Sequence, residues 1–471
     1  MAAEKFWLNS KRTDSALSDP LRNPHGGAII TDIHQATPAH IEIAIAAMVE
    51  SFPKLKKRYA HERAASCEII HNGLKARVEE FAQTIAKESA KPIKAARVEV
   101  DRAITTFKLA TEEATRIVGE QLPVDINASF QAYHAIVERF PVGPCSLISP
   151  FNFPLNLVAH KVAPAIACGC PFILKPSERT PLTALLLGDL LAQANLPEGS
   201  WHVLPCDRVT ARPLVTDDRI KLLSFTGSAE VGWKMKADAG KKTVVLELGG
   251  NCAVVCEPET DKVFAAPRIV FGAFAYSGQT CIGVQRIFLH ESIADRMTEM
   301  LISATEKLVV GDPLDDKTDI CPLIDDASAD RMQQWIAEAG GEILCGNRRE
   351  KNFFWPTLIK NPKPNTRLAC QEAFGPVATI ETYTDFDDAL KRVNNTRFGL
   401  QAGVFTNDIR KIRRAFETLE MGSVMINDIP TVRIENMPYG GIKDSGTGRE
   451  GIRYAFEHMT ERKCLITRTV R

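Results

Sequence analysis

The chain has 471 residues, 45% hydrophobic and 25% charged, which is typical of a soluble globular protein with several cores. This length favours two large domains, or two with a small third one. Lysine plus arginine and aspartate plus glutamate both number 58, so the formal charge of zero gives no sign of a nucleic-acid or membrane partner.

Residues 1–7 contain no apolar segment like that of a signal peptide, and no run of 18 apolar residues occurs. We therefore expect a cytoplasmic protein. The twelve cysteines fit a reducing compartment in which thiols stay free. Zinc would require two Cys or His pairs at matched spacing, so we predict no metal site.

The first 120 residues are predicted to be helical, because apolar residues recur at helical spacing on three faces. The three faces are Ile41, Ile45, Met48 and Phe52; Ile70, Leu74, Val78, Phe81 and Ile85; and Val98, Ile104 and Phe107. Residues 121–141 then alternate apolar and polar residues, which indicates extended chain or a hairpin.

Short apolar runs alternate with helical stretches from residue 145 onward. The predicted strands are 145–148, 172–174, 201–204, 221–225 and 243–246, and the predicted helices are 156–169, 181–195, 208–216 and 228–239. This alternation predicts parallel βαβ units in a doubly wound sheet, which binds ligands at the carboxyl ends of its strands. A second α/β pattern follows, with a strand at 252–255 and helices near 261–275 and 291–308.

The last segment, residues 463–470, alternates at period two and is predicted to be an edge strand. An unpaired edge at a chain end can pair with another subunit.

The chemistry is carried by Cys281, in a Gly-Gln-Thr-Cys turn, and by Glu247, in Glu-Leu-Gly-Gly some thirty residues earlier. Thiols are only partly ionised at neutral pH, so a nucleophilic cysteine needs a base or a lowered pKa. This pairing therefore indicates a thiol nucleophile with its own general base.

Seven segments occur together and in a fixed order. They are Pro150-Phe-Asn-Phe-Pro154, Lys175-Pro-Ser-Glu178, Phe225-Thr-Gly-Ser228, Glu247-Leu-Gly-Gly250, Gly278-Gln-Thr-Cys281, Glu372-Ala-Phe-Gly-Pro376 and Pro438-Tyr-Gly-Gly-Ile-Lys-Asp-Ser-Gly446. In this order they resemble the aldehyde dehydrogenase superfamily of the NAD(P)-dependent, non-acylating type. The resemblance covers about residues 4–470.

The resemblance implies that Cys281 attacks the aldehyde carbon, while the Asn152 amide and the Cys281 backbone N–H stabilise the oxyanion. Glu247 would activate the water that hydrolyses the thioester, and a carboxylate at this position favours hydrolysis over transfer to coenzyme A. The alternatives are an ordinary buried thiol, an asparagine in a proline-rich turn and a surface glutamate at a strand end.

The same resemblance implies NAD as cofactor, with NADP also usable. The implied cofactor-binding residues are Lys175, Ser177, Glu178, Gly227, Ser228, Gly232, Leu248, Glu372, Phe374, Pro150 and Phe151. Gly227 to Gly232 would offer a helix N-terminus to the pyrophosphate. Glu178 would repel a ribose 2′-phosphate by about 4 kcal/mol at 4 Å and an effective dielectric near 20, which favours NAD. The loop at 205–209 lacks the family's usual glycine, so its pyrophosphate contacts are in doubt.

The segment 426–439 resembles a branch that acts on lactaldehyde-like, sulfolactaldehyde-like or phosphonoacetaldehyde-like substrates. Arg433 could clamp an anionic tail, or it could be a structural arginine paired with Glu435 or a backbone carbonyl. Asn156 and Thr280 are the other predicted substrate-binding residues. Because Thr280 is neutral, a phosphorylated substrate is disfavoured.

The predicted fold class is α/β, with a doubly wound NAD-binding domain, a second α/β catalytic domain and a small β oligomerisation arm. The predicted boundaries are 1–120 and 142–248, with 440–456 returning, for the NAD domain, 249–439 for the catalytic domain, and 121–141 with 457–471 for the arm. We expect a homodimer or homotetramer acting on a small aldehyde. A coenzyme-A-acylating enzyme and a non-catalytic dinucleotide-binding protein are the alternatives.

Overall fold

The computed structural model describes residues 3–470. Its first part is not helical, contrary to the prediction for residues 1–120. Four short strands come first: β1 (Phe6–Leu8), β2 (Lys11–Thr13), β3 (Ser18–Arg22) and β4 (Ile29–His34). Strand pairing determines the structure of this segment. Strand β1 adds antiparallel to the first large sheet through Trp7 and Val203, and its three side chains are buried. Strands of three residues are too short to produce a readable period.

Four helices follow, as the apolar faces predicted. They are α1 (Pro38–Lys56), α2 (Ala60–Ala76), α3 (Val78–Ser89) and α4 (Ile93–Glu113). The second predicted face is divided between α2 and α3, because the chain leaves helical geometry at Arg77, where φ is −124°. Val98 was wrongly assigned to the buried face of α4, since it is 60% exposed, whereas Phe107 is fully buried.

The next segment contains β5 (Glu120–Leu122), a turn of 3₁₀ helix at Ala128–Phe130 and the long strand β6 (Tyr133–Pro141). It is extended, as predicted, and β5 pairs antiparallel with β6.

A parallel βαβ region builds the first large sheet. Its elements are β7 (Cys145–Ile148), α5 (Asn156–Cys168), β8 (Phe172–Lys175), α6 (Leu182–Leu191), β9 (Trp201–Val203), α7 (Pro213–Thr216), β10 (Leu222–Thr226), α8 (Ala229–Asp238) and β11 (Thr243–Glu247). All five predicted strands are present. The helix predicted at 208–216 is reduced to α7, because residues 208–212 form turns.

The order of the strands in the first large sheet determines where a ligand can bind. Strands β9, β8, β7, β10 and β11 are neighbours in that order and run parallel. The chain therefore leaves β7 towards β8 on one side and reaches β10 on the other, which is a topological switch point where ligands bind. Four predicted site residues lie at the carboxyl ends of these parallel strands. They are Asn152 after β7, Lys175 at the end of β8, Gly227 after β10 and Glu247 at the end of β11.

A second sheet follows directly. Its region comprises β12 (Cys252–Cys256), α9 (Lys262–Phe274), a 3₁₀ turn at Ala275–Gly278, β13 (Val284–His290), α10 (Glu291–Glu306), α11 (Asp326–Ala339), β14 (Glu342–Cys345), β15 (Arg349–Glu350), β16 (Phe353–Phe354), β17 (Thr357–Lys360), α12 (Arg367–Cys370), β18 (Val377–Tyr383), α13 (Phe386–Asn394), β19 (Phe398–Gly399), β20 (Gln401–Phe405), α14 (Ile409–Thr418) and β21 (Ser423–Ile426). The order β14-β17-β18-β13-β12-β20-β21 is parallel except at β14.

The chain then returns to the first sheet. The last elements are β22 (Ile442–Lys443), β23 (Gly446–Thr447), α15 (Ile452–Met459) and β24 (Thr460–Arg468). Strand β23 pairs with β11, while β24 pairs along its whole length with β6 and is an edge of the sheet β24-β6-β5. The α/β fold class is confirmed, and the domain boundaries stay predictions.

Candidate active site

Cys281 lies between the 3₁₀ turn at Ala275–Gly278 and β13, where the two large sheets meet. Its Sγ atom is 3.1 Å from the hydroxyl oxygen of Tyr439. It packs against a small cluster that includes Cys252, Ile282 and Leu400. Burial raises the pKa of Cys281 to about 11, so this thiol is protonated at neutral pH.

The backbone before Cys281 is held in a strained form. Tyr276, Ser277 and Gly278 are consecutive left-handed residues with φ of 50°, 54° and 69°, a conformation that costs a non-glycine residue about 1–2 kcal/mol. The Tyr276 hydroxyl donates to the Ser89 carbonyl, and the Ser277 hydroxyl donates to the Cys321 carbonyl. These buried hydrogen bonds hold the turn that presents the cysteine.

Asn152 follows β7 and lies beside the cysteine turn. Its side-chain amide donates to the carbonyl of Gln279, two residues before Cys281, at 3.0 Å. The loop after it is held by the carboxylate of Glu99, which accepts from the backbone N–H groups of Leu155 and Asn156 at the start of α5. The structure therefore brings this candidate oxyanion donor to the candidate nucleophile.

Glu247, the last residue of β11, is buried, and neither carboxylate oxygen accepts a hydrogen bond from residues 3–470. A Cβ atom on Gly440 would lie only 2.7 Å from its Oε1, so the Tyr439–Gly440 turn passes both this carboxylate and the thiol of Cys281. Burial, and then the negative charge of Glu450, hold the pKa of Glu247 well above its usual range. A buried carboxylate without partners is an uncommon arrangement that functional sites often contain.

A buried charged network lies behind Glu247, and sequence reasoning missed it. Glu450 binds Lys161 at 3.1 Å and Arg433 at 2.9 Å, and Lys161 also donates to Ser224. Burial opposes the ionisation of Glu450, but the charges of Lys161 and then Arg433 keep its pKa at about 2. Lys161 and Glu450 are 289 positions apart and stand in none of the seven segments, so only the fold shows that they pair with each other and with Arg433.

The alternative that Arg433 pairs with Glu435 or with a backbone carbonyl is wrong among the residues that the structure describes. The partner of Arg433 is Glu450, and its guanidinium lies 3.8 Å from the ring centroid of Tyr439. Glu435 instead binds Arg102 at 2.5 Å and contacts His160. Substrate binding by Arg433 stays a prediction.

The predicted ribose-binding residues lie together at the end of β8. The buried ammonium of Lys175 is 3.5 Å from the carboxylate of Glu178, which is 49% exposed. The hydroxyl of Ser177 accepts from the backbone N–H of Arg179. The exposed carboxylate beside a cation is thus available to a ligand that reaches this edge of the sheet.

Gly227 and Ser228 lie between β10 and α8, and Ser228 is the N-cap residue of that ten-residue helix. A Cβ atom on Gly232 would collide with the side chain of Leu248, so this glycine lets α8 approach the loop after β11. The free N–H groups at the start of α8 can donate hydrogen bonds to an anionic group such as a pyrophosphate.

Glu372 and Phe374 face the loop that carries Glu247. The carboxylate of Glu372 accepts from the backbone N–H of Gly250 at 3.2 Å, and any side chain on Gly249 would collide with it. Burial raises the pKa of Glu372 to about 8. The ring of Phe374 contacts Phe151 edge-to-face at 5.8 Å, and Phe151 follows the half-buried Pro150 after β7. These predicted nicotinamide residues are therefore brought together.

Of the other predicted substrate residues, Thr280 precedes the nucleophile and is nearly buried. Asn156 is fully buried, and its side-chain oxygen lies 3.5 Å from the Thr106 hydroxyl. Within residues 3–470 there is no helix long and apolar enough to cross a membrane, and no group of three or more His, Cys, Asp or Glu residues placed to hold a metal ion.

Comparison with known proteins gives the same fold and chemistry. The sequence profile described as "Aldehyde dehydrogenase family" matches residues 12–465. A 3-sulfolactaldehyde dehydrogenase from Priestia megaterium is 39% identical over 98% of this chain and 97% of its own length.

Two solved structures are also similar over nearly the whole chain. Aldehyde dehydrogenase 21 from Physcomitrella patens, in complex with the reaction product succinate, has a TM-score of 0.97 and 44% identity and covers 99% of each chain. A glyceraldehyde-3-phosphate dehydrogenase from Methanocaldococcus jannaschii complexed with NADP has a TM-score of 0.92 and 36% identity, covering 97% of this chain and 100% of its own.

This chain belongs to the aldehyde dehydrogenase family. Membership makes it an oxidoreductase that oxidises aldehydes with NAD(P), as the seven motifs predicted.

Proposed function

We propose that the protein oxidises a short aldehyde with an anionic tail to the carboxylic acid, with Cys281 as nucleophile. One observation carries this proposal: the thiol of Cys281, the amide of Asn152 and the unpaired carboxylate of Glu247 converge around two turns. Asn152 touches the carbonyl of Gln279, and the Tyr439–Gly440 turn passes the other two.

In the first half-reaction the sulfur of Cys281 adds to the aldehyde carbon. The negative charge that develops on the carbonyl oxygen is stabilised by the Asn152 amide and the backbone N–H of Cys281. Exchange of the Gln279 carbonyl for this oxygen would release the Asn152 donor at the moment it is needed. Removing one such donor typically raises the barrier by about 2.7–4 kcal/mol.

The residues at the edge of the first sheet fit a dinucleotide. A buried ammonium and an exposed carboxylate follow β8, and a helix N-terminus follows β10 on the other side of β7, which suits ribose and pyrophosphate. When bound, NAD(P) supplies the hydride acceptor of the reaction. We propose that Lys175 and Glu178 bind the adenosine ribose and that Glu372, Phe374 and Phe151 hold the nicotinamide end.

In the second half-reaction Glu247 takes a proton from the water that attacks the thioester. Its buried position without hydrogen-bond partners leaves both oxygens free for that water. Burial raises the pKa of this carboxyl, so its ionised form, which acts as the base, becomes more abundant as the pH rises.

The anionic tail is supported by the charges around the site. Arg102, Arg433 and Lys161 are three cations, against the two carboxylates Glu435 and Glu450. These five residues together carry one net positive charge. Two similar proteins act on or contain anionic compounds by name, 3-sulfolactaldehyde and succinate.

The test is a comparison of NADH formation for aldehydes of equal length with neutral, carboxylate and sulfonate tails. A charge contact in a closed site predicts kcat/KM about tenfold or more higher for the anionic members. Free acid must appear without coenzyme A. Strict dependence on coenzyme A would remove the hydrolysis step, and equal kcat/KM values would remove the anionic tail.

We also propose that β24 pairs with a second copy of the chain, giving a homodimer or homotetramer. Leu465 and Ile466 of this edge strand are about 60% exposed on opposite faces. The domain boundaries and the cytoplasmic location stay predictions.

A further inference from the structure

Tyr439 contacts the reacting sulfur, a role that the sequence analysis did not predict for it. Its hydroxyl oxygen is 3.1 Å from Sγ of Cys281, and the tyrosine is only 3% exposed. The ring belongs to the cluster that packs around the cysteine. The tyrosine side of the contact is therefore shielded from water, which strengthens a hydrogen bond to a charged sulfur, while Cys281 itself is half-buried.

The direction of this hydrogen bond follows from the two acidities. A phenol is ordinarily less acidic than a thiol, and burial raises the pKa of Tyr439 further, so the hydroxyl keeps its proton when the thiol has lost its own. The thiolate can then only accept. Of the charged groups facing the sulfur, Arg433 also favours the thiolate, whereas Glu372 and Glu247 oppose it when ionised.

Arg433 lies on the face of the same ring, 3.8 Å from its centroid. A cation over an aromatic face withdraws electron density from it, and this makes the phenol a better donor. Glu450 fixes the guanidinium at 2.9 Å, and Lys161 fixes Glu450 at 3.1 Å. The cation is therefore held in place over the ring by a buried network rather than by flexible surface contacts.

We propose that Tyr439 is a catalytic residue whose hydroxyl donates a hydrogen bond to the thiolate of Cys281, and that Arg433 is a positioning residue acting through the tyrosine ring. On attack the thiol proton leaves to solvent, the S–C bond forms and the π pair of the carbonyl moves onto oxygen; loss of hydride to the oxidised nicotinamide then leaves the thioester. On thioester hydrolysis the C–S bond breaks, its electron pair returns to sulfur, and Tyr439 again donates to the departing thiolate. Tyr439 keeps its proton in both steps. This role deepens the proposed function and rests on it.

The test measures the thiol alone, without aldehyde or cofactor. The full-length protein and Tyr439→Phe are alkylated with iodoacetamide from pH 6 to pH 10, and modification of the Cys281 peptide is followed by mass spectrometry. Because the pKa of Cys281 lies above this range, the modification rates are compared at each pH, and loss of a hydrogen bond to a charged sulfur predicts a rate about tenfold lower throughout. The exposed Cys464 serves as internal reference, with an unchanged rate.

Tyr454→Phe is the matched control, because Tyr454 lies on the exposed face of α15 and its variant should alkylate like the unaltered protein. Tyr439→Phe keeps the ring, and thermal unfolding checks that the fold is intact. An unchanged Cys281 profile in Tyr439→Phe overturns the proposal even if the enzyme oxidises aldehydes normally. A lowered profile in a protein without dehydrogenase activity would support Tyr439 and defeat the proposed function.

The role of Arg433 is separated by Arg433→Lys, which keeps the charge and loses the flat face on the ring. This change should lower the alkylation rate of Cys281 in the unaltered background and have no further effect in Tyr439→Phe. The same decrease in both backgrounds would show that Arg433 acts on the sulfur by charge alone, which contradicts the positioning role.

Discussion

At the scale of single residues, Glu247 gives the clearest dependence on pH. Its carboxyl is held well above its usual pKa by burial and then by the charge of Glu450, so its ionisation is displaced to higher pH. If the ionised form activates water, thioester hydrolysis should accelerate with pH until that raised pKa is passed.

The corresponding variant is Glu247→Gln, which keeps the shape and removes the base. We expect one equivalent of NADH in a rapid burst, followed by steady turnover slowed by about a hundredfold or more and nearly independent of pH. Stopped-flow absorbance with pH jumps measures both phases. A variant that still turns over at the normal rate, with the normal pH profile, would contradict the assignment of Glu247 as the base.

Glu178 should govern the choice between NAD and NADP. Its carboxylate is half-exposed and 3.5 Å from Lys175, so its repulsion of a 2′-phosphate is screened by water and partly offset by the ammonium. We predict that Glu178→Gln improves kcat/KM for NADP by roughly fivefold and changes the NAD value little. Arg179→Gln, at the adjacent exposed position, is the control. No gain with NADP would place the ribose elsewhere.

The candidate catalytic residues could be predicted from sequence because each stands in a short motif with a characteristic neighbour. Tyr439 could not, although it stands in one of the seven segments, because its contact with Cys281 spans 158 positions. For Arg433, the nearby Glu435 was the natural partner to expect. The structure pairs it with Glu450, because Glu435 is taken by Arg102 from α4. Buried ion pairs depend on the fold rather than on sequence distance.

At the scale of elements, the turn at Tyr276–Gly278 determines where the thiol points. Ser277 holds it by donating to the Cys321 carbonyl at 2.7 Å and accepting from the Cys321 N–H at 3.0 Å. Both bonds run to the backbone of Cys321 and do not depend on its side chain.

We predict that Ser277→Ala lowers the free energy of unfolding by about 1–3 kcal/mol, because two buried backbone groups lose their partner. The left-handed residues before Cys281 would then relax, and kcat should fall more than KM changes. Denaturant unfolding and steady-state kinetics measure the two effects. Ser303→Ala, on the exposed side of α10, should alter neither. Unchanged stability and kcat in Ser277→Ala would show that the turn holds without this serine.

The elements that sequence predicted well are those with several apolar residues in one period. The five parallel strands β7–β11 and the helices α5, α6 and α8 agree within a few residues. The strands β1 to β4 were missed, since short strands are defined by what they pair with. The break between α2 and α3 was missed as well, because the apolar face continues through Arg77.

At the scale of the whole molecule, the candidate site lies where one sheet passes into the next. The four residues after β11, from Leu248 to Asn251, lead directly into β12, and Glu247 and Cys281 approach each other across this junction. A segment between the two sheets can respond to a ligand bound on either side. The predicted domain boundaries assigned Glu247 and Cys281 to different domains. How close the two residues lie could be seen only in the fold.

The terminal arm is the remaining feature that one subunit does not explain. Strand β24 pairs with β6 along one edge only, and its other edge and most of its side chains from Glu461 to Arg468 face solvent. Exposed edges of this length normally pair or are blocked. If β24 pairs with another copy, a chain ending after Thr460 should have a lower mass in light scattering, because each subunit loses its docking strand.

Leu465→Lys offers a milder change that keeps the backbone of β24 and places a charge on one face of the strand. We expect it to weaken association by at least about tenfold if Leu465 is buried between subunits, since a buried unpaired charge costs several kcal/mol. Active, unassociated subunits would show that the arm serves assembly and not the chemistry. An unchanged mass for the truncated chain would show that its subunits, if they associate, do so through another surface.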